Sequence, residues 1–307
     1  MGRGGLARFV APLAEAVPLR FVALRALDRR LNFLSYASKL NYGVVERPHY
    51  GHCLLQAALI ARKLGYPAIT AIEFGVAGGN GLVALERHAE HVEREVGIAV
   101  ALYGFDSGSG MPDPVDYRDM PYLWQPGYFK MDVDALRTRL SRAELRLGPV
   151  EETLPRFLRE ESPPPIGFIA FDLDYYSSTM AALRIFDAEL SRFLPRVACY
   201  LDDMVGDIAY AYNEFTGELL ALKEFNASHE RAKIVPVNGI RFYGGRIPRL
   251  WHEQIFAAHL FDHPDYNRPI SDLAQLPLRE GEGNRPSQKA KPGLIWPRRP
   301  RRPRRAV

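Results

Sequence analysis

Ala68-Ile-Thr-Ala-Ile-Glu-Phe-Gly75-Val-Ala-Gly-Gly-Asn-Gly81 sets a short apolar run directly before a glycine-rich turn. Seven mostly apolar residues, Ala68–Phe74, have the length of a buried strand rather than a helix. The glycines of Gly75–Gly81 let the backbone turn sharply and come close to a ligand without Cβ interference. A helical pattern, Leu82–Glu95, follows, and then a second apolar run, Ile98–Phe105, ending on Asp106. Strand, glycine turn, helix, strand is the opening of a parallel sheet with crossover helices.

The alternation continues in both directions. Upstream, residues 50–64 read as a helix closed by Gly65-Tyr66-Pro67. Residues 6–40 carry apolar positions at helical spacing, with Pro12 and Pro18 as breaks. Downstream, helices are expected over Val133–Ser141, Glu151–Arg159, Ser178–Phe193 and Glu214–Ser228. Strands are expected over Glu144–Leu147, Ile166–Phe171 and Val197–Leu201. Lys233–Val237 and Ile240–Tyr243 read as a closing hairpin or edge strands. The fold class expected is α/β, a doubly wound, mostly parallel sheet. A helical extension is expected over residues 1–49, the main domain over 50–275 and a disordered Arg/Pro-rich tail over 276–307.

Composition excludes several classes. Of 307 residues, 47% are hydrophobic and 25% charged, the balance of a globular chain. The net charge of +4 is local, because six arginines lie between Pro297 and Arg305 and leave a net −2 on the rest. That tail reads equally as an electrostatic dock for an anionic partner or as a solvated extension. No apolar run reaches the ~18 residues of a membrane span. Charges at Arg20, Arg25, Asp28 and Arg29 interrupt any signal-peptide core. Cys53 and Cys199 make neither a disulfide framework nor a zinc site, so a cytoplasmic location is expected.

In doubly wound sheets ligands bind beyond the carboxyl ends of the strands, and the unusual residues cluster there. The turn after the first strand admits two readings. Gly79-x-Gly81-x-x-Ala84 fits a dinucleotide site, whereas Glu73 before the glycines fits S-adenosylmethionine. Asp106 after the second strand suits ribose hydroxyls and serves either cofactor. Asp172 and Asp174 end one strand, and Asp202 and Asp203 end the next. Carboxylates gathered on one sheet edge repel unless protons or a cation intervene. An all-oxygen set suits a hard divalent ion such as Mg²⁺; helix caps or ion pairs are the structural alternative. His88-x-x-His91 and His259-x-x-x-His263 read as helix-surface or loop positions, solvated or satisfied, and no general base emerges. Tyr128, Tyr175 and Tyr176 suit either an acceptor pocket or the core.

Five blocks in order resemble the macrocin O-methyltransferase-like enzymes. They are Glu73-Phe-Gly75, Gly104-Phe-Asp106-Ser107-x-x-Gly110-Met-Pro112, Gly148-x-x-Glu-Glu152-Thr153-Leu154-Pro155, Asp172-Leu-Asp174-x-Tyr176-x-Ser178-Thr179 and Asp202-Asp203. The resemblance spans residues 50–230 and implies a Rossmann-like class I methyltransferase fold, S-adenosylmethionine, Mg²⁺ and methylation of a small-molecule hydroxyl such as one on a sugar. It implies that Glu73, Gly75 and Gly79 shape the amino-acid end of the cofactor. Asp106 and Ser107 would take the ribose, and Gly148 to Glu152 would face the adenine. Asp172 would join the cofactor set, Asp174, Asp202 and Asp203 would hold the metal, and Asp174 and Asp203 would carry catalysis. Partners expected are the hydroxyl acceptor and, with less to fix it, a second copy of the chain. The rivals are an NAD-dependent oxidoreductase using Gly79, Gly81 and Asp106, and a non-catalytic nucleotide-binding protein docked by its tail. The segment Met111–Trp124 is expected to fold over the acceptor.

Overall fold

Side chains of consecutive residues in a strand point to opposite faces of a sheet, and in this chain both faces are covered. The computed structural model describes residues 19–206, 212–242 and 249–271. Residues 1–266 form one unit and 267–307 a second, of which only 267–271 are described. The first strand, β1, spans Ala68–Phe74. Ile69 and Ala71 pack on one side of it, against Leu54, Leu55 and Ala58 of the helix Pro48–Leu64 and Leu85 of the helix Asn80–Val96. Ile72 and Phe74 pack on the other side, against Leu154 and Phe157 of the helix Val150–Glu160 and Phe225 of the helix Gly217–Ser228. A strand buried along nearly its whole length, apolar except for Thr70 and Glu73, is what a doubly covered parallel strand needs.

Numbered in chain order, the helices are α1 Leu19–Leu31, α2 Tyr36–Tyr42, α3 Pro48–Leu64, α4 Asn80–Val96, α5 Val133–Arg139, α6 Val150–Glu160, α7 Tyr176–Leu183 and α8 Gly217–Ser228. The further strands are β2 Ala99–Asp106, β3 Glu144–Leu147, β4 Ile166–Phe171, β5 Phe193–Leu201, β6 Ala232–Pro236 and β7 Ile255–Leu260. The sheet order is β3-β2-β1-β4-β5-β7-β6. Five strands run parallel, and β7 is antiparallel to both β5 and β6. This is the doubly wound, mostly parallel α/β sheet expected from the sequence. Its order reverses between β1 and β4, which places the ligand crevice beyond the ends of those two strands.

The differences are local. The run 178–193 is helical only to Leu183; 3-10 turns Arg184–Asp187 and Leu190–Arg192 follow, and β5 starts at Phe193. Pro195 inside β5 hides its first residues, since proline has no N–H for the ladder. The register between β4 and β5 shifts there. Ile240–Phe242 is a 3-10 turn, not a strand, and β6 pairs instead with β7, Ile255–Leu260, which carries no turn signal of its own. The expected N-terminal helical run begins in the described residues with α1; its part before Leu19 and the tail beyond Ser271 lie outside them. Tyr36, Ala37 and Leu40 of α2 are buried in the core of the sheet unit.

Candidate functional site

The ladder hydrogen bonds run past the strand ends and bind the loops together. Gly75 N–H donates to the Phe105 carbonyl, Asp172 N–H to that of Phe74 and Asp202 N–H to that of Phe171, all at 2.9–3.0 Å. Gly75 has a φ of 83°. A Cβ there would stand 1.7 Å from the Asp172 carbonyl oxygen, so only glycine lets the β1 and β4 loops touch. These loops, with the ends of β2, β3 and β5, line one cavity of about 720 Å³, within the usual range for small-molecule sites.

One half of the cavity is built by backbone. Asp106 accepts from the N–H groups of Val76 (2.9 Å) and Ala77 (2.8 Å) on one oxygen and of Gly108 (2.6 Å) on the other. It thereby braces the glycine turn while lining the cavity beside Ser107. The glycines divide by role. Gly79 makes room for Leu136, whose Cδ1 would be 2.1 Å from a Cβ, and Gly81 for the Glu73 carboxylate at 1.8 Å. Gly78 faces open space and lines the cavity. Gly148 lines it as well, followed by Pro149, Val150 and Glu151, whereas Glu152 does not.

Glu73 is 1% exposed. Tyr50 Oη donates to its Oε1 at 2.7 Å, and Oε2 has no partner. Burial pushes its carboxyl up to about 7, with Asp106 and Asp202 adding to the shift against Tyr50 and Arg47. Arg47, which begins α3 in a left-handed conformation (φ 39°), lines the same wall. Burial disfavours its charge, but Tyr50, Glu73, Asp172 and Asp202 outweigh that and raise its pKa. Neither Tyr50 nor Arg47 stands out in the sequence; only the fold brings α3 against Glu73.

The other half is acidic. Asp172, Asp174, Asp202 and Asp203 all line the cavity. Asp174 sits in the left-handed region (φ 58°), and its N–H donates to Asp203 Oδ2 at 3.0 Å. Tyr212 Oη donates to Asp203 Oδ1 at 2.8 Å. Tyr200 Oη donates to Asp202 Oδ1. Beneath them lies Glu218 at the start of α8, fully buried. Its Oε2 accepts from Asp203 N–H at 3.0 Å and its Oε1 from Leu173 N–H at 3.5 Å, clipping the β4 and β5 loops together. Burial raises Asp174 to about 9, with Asp203 and Asp202 adding to it, and raises Asp203 to about 6 with Asp202 as second cause. Burial first, then the neighbouring carboxylates, also lifts Asp172 and Glu218 far above the usual carboxylate range.

An all-oxygen, mutually repelling donor set has the chemistry of a hard divalent cation site, since a cation relieves the repulsion. Asp174, Asp202 and Asp203, the residues expected to hold such an ion, all belong to this set. Among the described residues, no three Asp, Glu, His or Cys side chains already stand in a metal-holding arrangement.

A further part of the wall comes from the segment expected to fold over the acceptor. Met111, Pro112, Asp113, Val115, Trp124 and Phe129 line the cavity from the expected segment and just beyond it. Its pin is Asp119, fully buried, which accepts from Ser177 N–H (2.8 Å) and Oγ (2.9 Å) at the start of α7. Of the tyrosines considered, none lines the cavity. Tyr175 is buried, Tyr176 donates to Glu224 at 2.6 Å, and Tyr128 is exposed. Tyr212 is the tyrosine that lines the cavity. His88 is buried rather than on a surface. It is satisfied, with Nδ1 on Tyr36 Oη and Nε2 on the carbonyls of Glu46 and Arg47. His263 is buried and accepts from Asp265 N–H.

No family model matches the chain, and no curated protein sequence does. Among solved structures it is similar to CalS11, a calicheamicin methyltransferase, at 20% identity over 81% of this chain and 95% of that one, with a TM-score of 0.46. It is similar to the O-methyltransferase NovP at 17% identity, over 59% and 72%, TM-score 0.42. For the O-methyltransferase TomG from Streptomyces achromogenes, in complex with SAM, the values are 12%, 83% and 96%, and 0.40. Among the described residues, no helix is long and apolar enough to cross a membrane.

Proposed function

We propose that this chain is an S-adenosylmethionine-dependent O-methyltransferase acting on a hydroxyl of a small molecule, a sugar or another natural-product acceptor, with Mg²⁺ in the acidic half of its site. The observation that carries the reading is one continuous cavity joining a glycine-turn half, closed by Asp106, to a carboxylate half under an aromatic cover. The first half has the parts for a nucleoside and its amino-acid arm. Asp106 and Ser107 face a ribose, Gly148 and Glu151 flank a base, and Gly78 leaves room for the backbone to approach the chain of the cofactor. Arg47 and Glu73 present opposite charges to the zwitterionic end.

The sulfonium donor is already activated, so the protein's work is placement. Trp124 and Phe129 offer flat apolar faces to an acceptor ring, and Asp113 offers a hydrogen-bond acceptor to its hydroxyls. The cover pinned by Asp119 to Ser177 keeps water from the transfer path. Asp174, Asp202 and Asp203 would hold the metal, which supplies a lowered pKa and a fixed direction for the acceptor hydroxyl. Asp174 and Asp203 act on the acceptor side, and Asp172 stands between the two halves.

Titration calorimetry with S-adenosylhomocysteine and with NAD⁺ separates the cofactors. Heat with the former alone supports the reading; heat only with NAD⁺ refutes it. The acidic half is tested apart from this by Asp203→Asn, which should remove Mg²⁺ dependence while leaving S-adenosylhomocysteine affinity within about twofold.

A further inference from the structure

The charged residues of the cavity wall are almost all of one sign. Among the described residues eight acids line it, against a single cation, Arg47. Arg47 is already committed, since Glu73, Asp172 and Asp202 stabilise its charge. Most of the acids are committed too. Asp106 braces the glycine turn, and Asp203 accepts from Asp174 N–H and Tyr212 Oη. Asp113 differs from them. It is exposed at the mouth of the cavity, and among the described residues it has neither an ion-pair nor a hydrogen-bond partner.

The segment that carries Asp113 closes on itself. Met111 N–H donates to the Tyr128 carbonyl and Gly127 N–H to the Met111 carbonyl, both at 2.9 Å. Gly110 (φ 93°) allows this approach, because a Cβ there would lie 2.7 Å from the Tyr128 carbonyl oxygen. Asp113 therefore shares its stretch of wall with Trp124 and Phe129, whose rings meet edge to face with centroids 5.7 Å apart. It also lies on the acidic side: burial first, then Asp119, Asp174 and Asp113, raise the pKa of Tyr175. The arginines nearby in the fold are held elsewhere. Arg118 pairs with Asp116 at 2.9 Å and lies over the Tyr176 ring, and Arg139 donates to the Gly78 carbonyl and to Asn80. An anion entering here meets no free counter-charge. A cation finds a carboxylate, two aromatic faces and an acid-lined cleft that draws it in.

We propose that the acceptor carries a protonated amine close to the hydroxyl it presents, as an amino sugar does, and that Asp113 with Trp124 and Phe129 selects it. This rests on the methyl-transfer reading above and adds to it the charge of the acceptor. The same wall disfavours acceptors that bear phosphate or carboxylate, a sugar still attached to a nucleoside diphosphate among them.

The test compares sugars that differ in charge. Glucose, glucosamine, kanosamine and glucose 6-phosphate are titrated into the full chain, with and without S-adenosylhomocysteine, and binding is read by saturation-transfer NMR. At least one of the two amino sugars should bind about threefold to tenfold tighter than glucose, the worth of one exposed charge pair beside an aromatic face. Glucose 6-phosphate should bind more weakly than glucose, and the spread should narrow in high salt. Asp113→Asn keeps the shape of the side chain and should bring the amino sugars to the level of glucose. Asp113→Lys should turn the order round in favour of glucose 6-phosphate, a gain that a misfolded variant would not show. Amino sugars that bind no better than glucose, or a preference that survives Asp113→Asn, would overturn the proposal. Absence of S-adenosylhomocysteine binding would refute the methyl-transfer reading alone, and the comparison without cofactor would still decide the preference for an amine.

Discussion

Replacing Glu73 by glutamine should flatten part of the chain's pH–stability profile. In the folded chain burial holds the Glu73 carboxyl at about 7, against an ordinary value of 4.5. Between those two values the folded state keeps a proton that the unfolded state has released. Stability therefore falls as pH rises, by about 1.36 kcal/mol per pH unit for this one group. Over the window the loss comes to about 3 kcal/mol, absent below pH ~4.5 and complete above pH ~7. At ~2 °C per kcal/mol for a unit of this size, it corresponds to a shift of about 6 °C in Tm.

Glutamine keeps the oxygen that accepts from Tyr50 and cannot ionise. It buries an amide at the unpartnered Oε2 position, a cost that does not vary with pH. Other carboxylates titrate in the same window, so the quantity to measure is the difference between wild type and Glu73→Gln. Urea and thermal unfolding without cofactor or metal, at half-unit steps from pH 4.5 to 7.5, give it. The difference should move by about 3 kcal/mol in favour of Glu73→Gln toward high pH. A difference constant to within ~0.5 kcal/mol would show that Glu73 does not carry a proton in the folded chain.

Tyr50→Phe removes the one hydrogen bond to that carboxyl and should cost about 1–3 kcal/mol at pH 8 and less at pH 5, by the same unfolding assay. Glu218→Gln preserves the clip on Asp203 N–H and resembles the protonated acid that burial favours, so it should cost no more than ~1 kcal/mol. Glu218→Ala opens the clip and should cost about 2–4 kcal/mol in urea unfolding, with weaker S-adenosylhomocysteine binding. Gly81→Ala drives a methyl group into the Glu73 carboxylate and should leave little folded protein by circular dichroism. Gly78→Ala meets nothing and should fold normally, yet weaken S-adenosylhomocysteine by calorimetry.

The parts legible in the sequence are those set by neighbours along the chain. Ala68–Phe74 and Ile166–Phe171 announce themselves as buried parallel strands because their side chains are apolar except for Thr70 and Glu73, and a glycine or acid stops each run. Residues 50–64 form a helix within two residues of the expected bounds, and the strand-end acids 172, 174, 202 and 203 do meet in one cavity. The hidden parts depend on contacts far apart in sequence. Tyr50 reaches Glu73 across 23 residues, and Asp119 reaches Ser177 across 58. Glu218 looks like an ordinary first-turn acid of a helix, a place where acids are common for reasons of the helix dipole. In the glycine turn, Gly75 and Gly79 line the cavity as the sequence suggests, Gly78 joins them, and Gly81 instead makes room for Glu73.

The central claim is that one cavity seats a nucleoside-bearing methyl donor in its glycine half with the reacting end turned toward the acids. A crystal structure of the chain grown with S-adenosylhomocysteine and Mg²⁺ tests it most directly. The account predicts the ribose against Asp106, the base beside Gly148 and Glu151, and the sulfur directed toward Asp174 and Asp203 under Trp124 and Phe129. A ligand bound outside this cavity, or one lying in it with its sulfur turned away from the carboxylates, would contradict it.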